Sequence, residues 1–517
     1  MQKIILLSTG LAILFFISFT ACKKEKLLTD SNATLEFSDD TIAFDTVFTS
    51  VGSATEVFVV RNTYDQPVNI SSLYIASGEG SNYRLNVNGT PGKSFSDVEI
   101  GANDSIWIFV EVTVDPNSQT TPLIVEDAIV FNTNGHQQHV ILDAYGQDAH
   151  FFPSSDCGEE KSQCTPLFKL KNCPGGGNQF HWTNDKPYVI YGYAILDAGC
   201  TLTIDAGVRV HFHTNSGLII TSSAQLIVNG TKDNPVTFEG DRLGSDYKDV
   251  PGQWDRIWFS NIDQIDLAPC PIEITRGPGS KGSIVDYAII KNGYVGIQAD
   301  TFGSPTDYVV EINNTIIKNF ASTAFYGNGS FVSANNSVFA NCGEFLSYLS
   351  IGGGYRFLHC TFANYWSHSN RSTPSMVVND YYVDGESVLH IRPITAYFGN
   401  CIVYGNQDTE IGFDTVPTGN YVTLIMNNCL MKIDNDTYNG NMGYYNQVTK
   451  DYRNQDPNFK DIDNNYYKTD SISPAFNHGD LTITNTVPVC SLDIEGNHRP
   501  DINSLIPDIG AYEDDNQ

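Results

Sequence analysis

The chain is short of cations: 29 Lys and Arg stand against 59 Asp and Glu in 517 residues, a formal net charge of −30. Affinity for DNA or RNA rests on Lys and Arg neutralising phosphates, so this composition excludes nucleic acid as a partner. Methionine is scarce at five, while 43 Gly and 22 Pro accompany many Asn. Such usage speaks against helical bundles and for turn-rich β structure. Beyond the N-terminus no apolar run approaches the roughly 20 residues that a membrane-spanning helix needs. There is no Cys-x-x-Cys pair and no His-x-His cluster joined to cysteines, so the usual zinc frameworks are absent and no metal site is expected.

What is present begins with an address. Lys3 precedes a mostly apolar stretch, residues 4–19, which ends in Phe19-Thr20-Ala21-Cys22. Residues 1–21 read as an export signal. The ending resembles the lipobox of bacterial lipoproteins, although Phe19 replaces the usual aliphatic residue. That resemblance implies acylation of Cys22, anchoring to the outer membrane of the cell envelope, and a tether over 22–33 that starts Cys22-Lys23-Lys24-Glu25-Lys26. Several acyl chains give stable anchoring where one is marginal. Whether the anchored chain faces the periplasm or the outside is open. Export permits disulfides. Cys157, Cys164, Cys173 and Cys200 are the best candidates, with their pairing open.

Residues 34–150 show short strands with period-2 alternation, among them 57–61, 106–114, 128–132 and 140–144, the last two joined around Asn134-Gly135. About seven such strands predict an immunoglobulin-like sandwich. The segments Phe44-Asp45-Thr46-Val47-Phe48 and Ile141-Leu142-Asp143-Ala144-Tyr145-Gly146 resemble Hydin-type Ig-like domains. That likeness implies a spacer or protein-contact module.

After a Cys/Pro/Gly-rich linker and cap (151–184) the texture changes. Strands of three to five residues follow one another with short Gly, Asn or Asp turns, leaving no room for helical crossovers. Repeats begin at Ala288, Thr315, Ser337, Cys360 and Cys401, with a weaker sixth at Cys429; the spacings are 27, 22, 23, 41 and 28. A period in the twenties predicts one rung of a right-handed parallel β-helix over 185–517, with rungs about 4.8 Å apart. Ile290, Ile317, Phe339, Phe362 and Val403 are then one buried column, and Asn292, Asn319, Asn341 and Asn364 a turn ladder. The 41-residue interval holds an insertion, placed within 366–392.

The solenoid also carries family-like blocks. Asn229-Gly230-Thr231 and Pro235-Val236-Thr237-Phe238 look like the opening rungs of bacterial right-handed β-helix proteins with a pectin-lyase-like fold. Ser473-Pro474-Ala475, Asp493-Ile494-Glu495-Gly496-Asn497 and Pro507-Asp508-Ile509-Gly510-Ala511-Tyr512-Glu513 resemble the C-terminal end of Bacteroidetes β-helix lipoproteins of the choice-of-anchor Q type. The resemblance implies fold and location, and no defined chemistry.

Catalytic motifs are wanting. A pectin-type hydrolase would need Gly-His-Gly and a paired Asp-Asp on successive rungs. Gly-His-Gly is absent, and the Asp-Asp pairs, Asp39-Asp40 and Asp514-Asp515, lie outside the repeats. Calcium remains a weak option at Asp434-Asn435-Asp436 and at Asp461-Ile462-Asp463, where oxygen ligands are closely spaced; no cofactor is expected otherwise. His211 and His213 share a strand face without a third ligand. The insertion concentrates Trp366, Arg371, Tyr381, Tyr382, His390 and Arg392, together with His368, Asp380, Asp384 and Glu386. Aromatic faces suit sugars, and Arg forks suit carboxylates or hydroxyls. Three readings stay open: a binding or adhesion lipoprotein for polysaccharide or a surface protein, a lyase-like carbohydrate-active enzyme, and an envelope spacer. The acidic composition disfavours acidic polysaccharides unless Ca²⁺ bridges them.

Overall fold

The computed structural model describes residues 26–49, 52–114, 123–153, 165–170, 178–267, 273–277, 282–300, 306–416, 421–440, 445–449, 452–502 and 504–514. Cys22, Cys157, Cys164 and Cys173 lie outside them. The chain divides into two compact units, 1–148 and 149–517.

The first unit is a sandwich of two five-stranded sheets. One orders Glu36–Phe37, Glu56–Arg61, Ser105–Val112, Tyr83–Val87 and Thr90–Gly92. The other orders Thr41–Phe48, His136–Gln147, Leu123–Thr133, Val68–Ile75 and Ser94–Ile100. Alternation does the sorting: Ile106, Ile108, Val110 and Val112 are buried, while Trp107, Phe109 and Glu111 point outward. Asn134 and Gly135 turn the hairpin with φ of 51° and 85°, the double positive φ that a two-residue hairpin turn requires.

The second unit is a right-handed parallel β-helix of three sheets with 11, 9 and 10 described strands. Its first rung is built from His150–Phe152, Leu167–Lys169 and Gln179–Trp182, which fall, His150 apart, in the stretch expected to be linker and cap. Three-residue strands carry too little alternation to declare themselves before they are stacked.

The expected column is in place. Ile290, Ile317, Phe339, Phe362 and Val403 pair in register on successive rungs, and all are fully buried. The rings of Phe339 and Phe362 stack with centroids 4.7 Å apart. Asn292, Asn319 and Asn341 turn with φ of 67°, 64° and 51°, and Asn319 Nδ2 donates to Asn292 Oδ1 at 2.6 Å. Asn364 departs from that ladder. It ends the strand Thr361–Asn364, buried, and its Oδ1 accepts from the Cys342 amide at 3.1 Å. The chain there runs on into a longer loop, so no single-residue turn demands positive φ.

A second ladder stands one residue before each repeat: Tyr287, Asn314, Asn336, His359, Asn400 and Asn428, with φ between 47° and 54°. Each makes the one-residue turn from the third sheet to the first, a left-handed conformation that Asn tolerates best among residues with a side chain. The C-terminal residues 456–514 form a strap docked along this line. Asn336 Nδ2 donates to the carbonyls of Val489 and Leu492, and Asn428 Nδ2 to that of His478. Arg499 ties the strap down through Asn336 Oδ1 at 2.6 Å, the Gly510 carbonyl at 3.1 Å and Glu513 at 3.3 Å. Beneath it, Tyr467, Ile494, Ala511 and Tyr512 pack on Val338, Ala340 and Ala363. Where the strap lies, the first sheet is covered on both faces, with Val338, Ala340 and Ala363 buried beneath it and Phe339 and Phe362 in the solenoid interior.

The cysteines expected to pair include Cys200, which carries no disulfide. Cys342, Cys360, Cys401 and Cys429 are buried free thiols in the solenoid interior. Burial pushes Cys342 up to about 12, so it behaves as a small apolar side chain.

Candidate functional site

The outer face of the second sheet carries a column set by register: Ile219, Trp258, Gln298, Tyr326, Tyr348 and Val377 on successive rungs. Two residues further along the strands, Asp300, Asn328 and Ser350 form a polar column, extended when Ser350 Oγ donates to Asn379 Oδ1 at 3.1 Å. Period-2 geometry puts both columns on one face.

Two hairpins rise from this same edge. One pairs Ile262–Asp266 with Glu273–Arg276 and follows the strand Ile257–Phe259. The other pairs Tyr381–Val383 with Leu389–Ile391 and follows Met376–Asn379. Three strands separate them. Between them lies a cavity of about 330 Å³. Trp258, Asn261 and Arg276 line it from the first side, Asp300, Asn328 and Ile351 from below, and Tyr382 with Arg392 from the second side.

Hydrogen bonds fix these side chains. Trp258 Nε1 donates to Asp300 Oδ2 at 2.8 Å, and Gln298 Nε2 reaches both Asp300 oxygens at 2.9 Å. Gln298 is held in turn by Arg256, which pairs with Asp255 at 2.9 Å. Arg276 donates to Asn261 Oδ1. On the opposite side Arg392 lies 5.7 Å from the centre of the Tyr382 ring. Tyr382 stacks on His390 with centroids 4.6 Å apart, and His390 Nε2 meets Asp384 Oδ2 at 2.7 Å. The His390 contact, joined by the Val388 and Glu386 amides, holds the Asp384 carboxyl below the usual range. Tyr381 donates to Asp414 Oδ1 at 3.0 Å, which raises the phenol. Gly352, with φ of +86°, lets Arg392 approach: a Cβ there would stand 2.7 Å from Arg392 Cβ.

Of the residues singled out from sequence, Tyr382 and Arg392 line the cavity, while Tyr381 and His390 brace its wall. Trp366 and Arg371 do not belong to it. Trp366 is only 6% exposed and donates to Ser369 Oγ at 2.9 Å. Arg371 forms a buried fork with Glu410, at 2.9 and 2.8 Å. The Glu410 carboxylate is fully buried, and a charge there is tolerable only when paired, so Arg371 is spent on folding. Trp258, Asn261, Arg276, Asp300 and Asn328 escaped the sequence reading. Trp258, Asn261 and Arg276 had a signal in spacing: Val236 and Ala288 pair on adjacent rungs although 288 − 236 = 52 residues separate them, more than any interval between the repeats, and this stretch holds the first hairpin.

His211 is buried, its Nδ1 3.3 Å from the Gly240 carbonyl, and His213 Nδ1 meets Asp241 at 2.7 Å. They face separate acids on the next rung and do not share a site. Asp434 caps the helix Asn435–Gly440, accepting from the Thr437 amide at 2.8 Å. Asp461 accepts from Asn464 at 3.1 and 2.7 Å. Among the described residues no group of three or more His, Cys, Asp or Glu is arranged to hold a metal ion. Asp300 is the one carboxylate among the described cavity-lining residues, whereas glycoside hydrolysis ordinarily needs two. The cavity offers aromatic faces, amides, guanidinium groups and one carboxylate.

A family profile described as pectate-lyase like β-helix domain matches residues 177–255. No curated protein matches the chain. Among solved structures, a GH87 α-1,3-glucanase catalytic domain in complex with nigerose is 10% identical, with 78% of this chain and 92% of that one covered and a TM-score of 0.22. The GH87 α-1,3-glucanase catalytic unit of Streptomyces thermodiastaticus is 8% identical over 72% and 73%, with a TM-score of 0.19. A human ASH/PapD-like domain is 8% identical over 25% and 94%, with a TM-score of 0.16. By architecture, and by its similarity over 177–255 to pectate-lyase-like domains, the chain is a β-helix protein.

Proposed function

We propose that the chain is an envelope lipoprotein, held by lipid on Cys22, that binds glycans in the groove between its two hairpins. The observation that carries this reading is the pairing of Trp258 and Tyr382 on opposite sides of one cavity, with Asn261, Asp300 and Asn328 between them. Sugar rings present apolar C–H faces and a rim of hydroxyls, so aromatic walls with interleaved hydrogen-bonding groups match their chemistry. Binding is favoured over hydrolysis because Asp300 already accepts from Trp258 and Gln298 and has no second carboxylate beside it among the described lining residues. The test is a glycan array probed with the wild type and with a Trp258→Ala/Tyr382→Ala variant. Signals that the variant loses, with the melting temperature held within a few degrees, support the reading. An empty array, or one unchanged by the variant, contradicts it.

A further inference from the structure

Resting on the lipid proposed at Cys22, we infer that the sandwich lays one sheet face on the phospholipid surface holding that lipid, with Trp107 in the contact. The face belongs to the sheet that contains Ser105–Val112. Its outward residues pair across strands, Val59 with Trp107 and Val57 with Phe109, and Asn86 links Phe109 to Pro91. Trp107 is 53% exposed, Val57 41% and Phe109 40%. A sheet with one face in the core ordinarily turns a polar face to water, and here the outward positions are apolar instead. The chain's other four tryptophans are buried or half-buried. A contiguous apolar patch of this kind marks a protein or membrane contact.

Chain length decides for the membrane. Leu28 is fixed to the sandwich: its amide donates to the Pro67 carbonyl at 2.8 Å, and its carbonyl accepts from Asn134 Nδ2 at 2.9 Å. From Cys22 to Leu28 is 28 − 22 = 6 residues, a reach of about 20 Å at full extension. The patch lies at this same end. Asn62 Nδ2 donates to the Gln66 carbonyl at 2.9 Å, beside Pro67, and the Asn62 amide donates to the Asp104 carbonyl at 2.9 Å. Trp107 follows Asp104 by three residues, about 10 Å along an extended strand. A short tether keeps the face at high effective concentration beside the bilayer, so weak docking suffices. Charge agrees. On the outward side of these strands Arg61 and Arg84 stand against Glu36 and Glu111, so this face is neutral in a chain of −30. Tryptophan suits the boundary itself, with an apolar ring for acyl chains and an N–H for headgroups. The docked face adds a second signal to the lipid and fixes which side of the sandwich lies on the bilayer.

The test takes the full chain as purified from membranes and reconstitutes it in phosphatidylcholine vesicles with plain or brominated acyl chains. Bromine quenches tryptophan at contact. The expected result is that brominated vesicles dim the wild-type emission and that Trp107→Phe removes the dimming. A Val57→Glu/Phe109→Glu variant, which keeps Trp107 but charges the patch, should lose most of it. These side chains face outward, so both variants should melt with the wild type. Mass spectrometry of residue 22 reads the anchor separately. An unmodified Cys22 overturns the anchoring reading and this inference with it. An acylated chain with no dimming, or with equal dimming in the wild type and either variant, overturns the inference and leaves the anchor standing. If the wild type is then a dimer that Val57→Glu/Phe109→Glu breaks, the face belongs to a second copy and not to lipid.

Discussion

Trp258 Nε1 donates to Asp300 Oδ2 at 2.8 Å, joining residues 42 positions apart that stand on adjacent rungs of the solenoid. The bond fixes the plane of an indole that lines the groove and orients the carboxylate beneath it. Asp300→Ala is expected to weaken glycan binding about tenfold or more, since both a hydrogen-bonding partner and the tryptophan's orientation are lost. The melting temperature should stay within a few degrees, because Asp300 is only partly buried. Titration of wild type and variant with one array-positive glycan checks this.

Gly352→Ala tests the placement of Arg392 without touching a groove residue's chemistry. The added methyl would meet Arg392 Cβ at 2.7 Å and the Pro393 carbonyl at 2.8 Å, at a φ that side chains rarely adopt. Glycan binding should fall severalfold in titration. Binding equal to that of the wild type would show that the placement of Arg392 does not matter to the groove.

Arg371→Ala should behave in the opposite manner. It leaves the buried Glu410 carboxylate without its cation, a change that costs about 3–5 kcal/mol in comparable sites. Thermal or denaturant unfolding should register that loss, while any remaining folded protein binds glycan normally. Trp366→Ala is expected to follow the same pattern with a loss of similar size, about 3–5 kcal/mol, since its ring is buried outside the groove.

The C-terminal strap has its own pH dependence. Burial raises Asp508 to about 6 and Glu513 to about 7, with Arg499 pulling both the other way. In an unfolded chain such groups titrate near 4. The docked strap therefore holds its protons more tightly than the unfolded chain does. The resulting stabilisation is complete below about pH 4 and is lost as pH rises through 6 and 7. Amide exchange of residues 493–514, corrected for intrinsic rates, should show firmer docking at about pH 5 than at about pH 8. Protection that grows with pH would contradict this.

Much of the solenoid was legible in sequence because its code is local. A period in the twenties, a small residue opening each strand and an apolar residue two further on suffice to place Ile290, Ile317, Phe339, Phe362 and Val403 on one column. Asn364 misled because the ladder depends on the path the chain takes after each Asn, and beyond Asn364 it leaves for a longer loop. The groove was half-legible. Tyr382 and Arg392 were found because they sit in a visible insertion, but Trp366 and Arg371 share that insertion and face inward. Sequence shows that aromatic and charged residues are gathered; only packing decides which of them meet water. Trp258 and Asp300 were hidden because register, not proximity in the chain, brings them together.

The most direct test of the groove as the binding site is hydrogen exchange of the full chain with and without the glycan that binds best on the array. If the groove is the site, protection appears at 258–261, 273–276, 326–328 and 381–392, and it vanishes in the Trp258→Ala/Tyr382→Ala variant. Protection confined to the sandwich unit or to the strap, with these four segments unchanged, would contradict it.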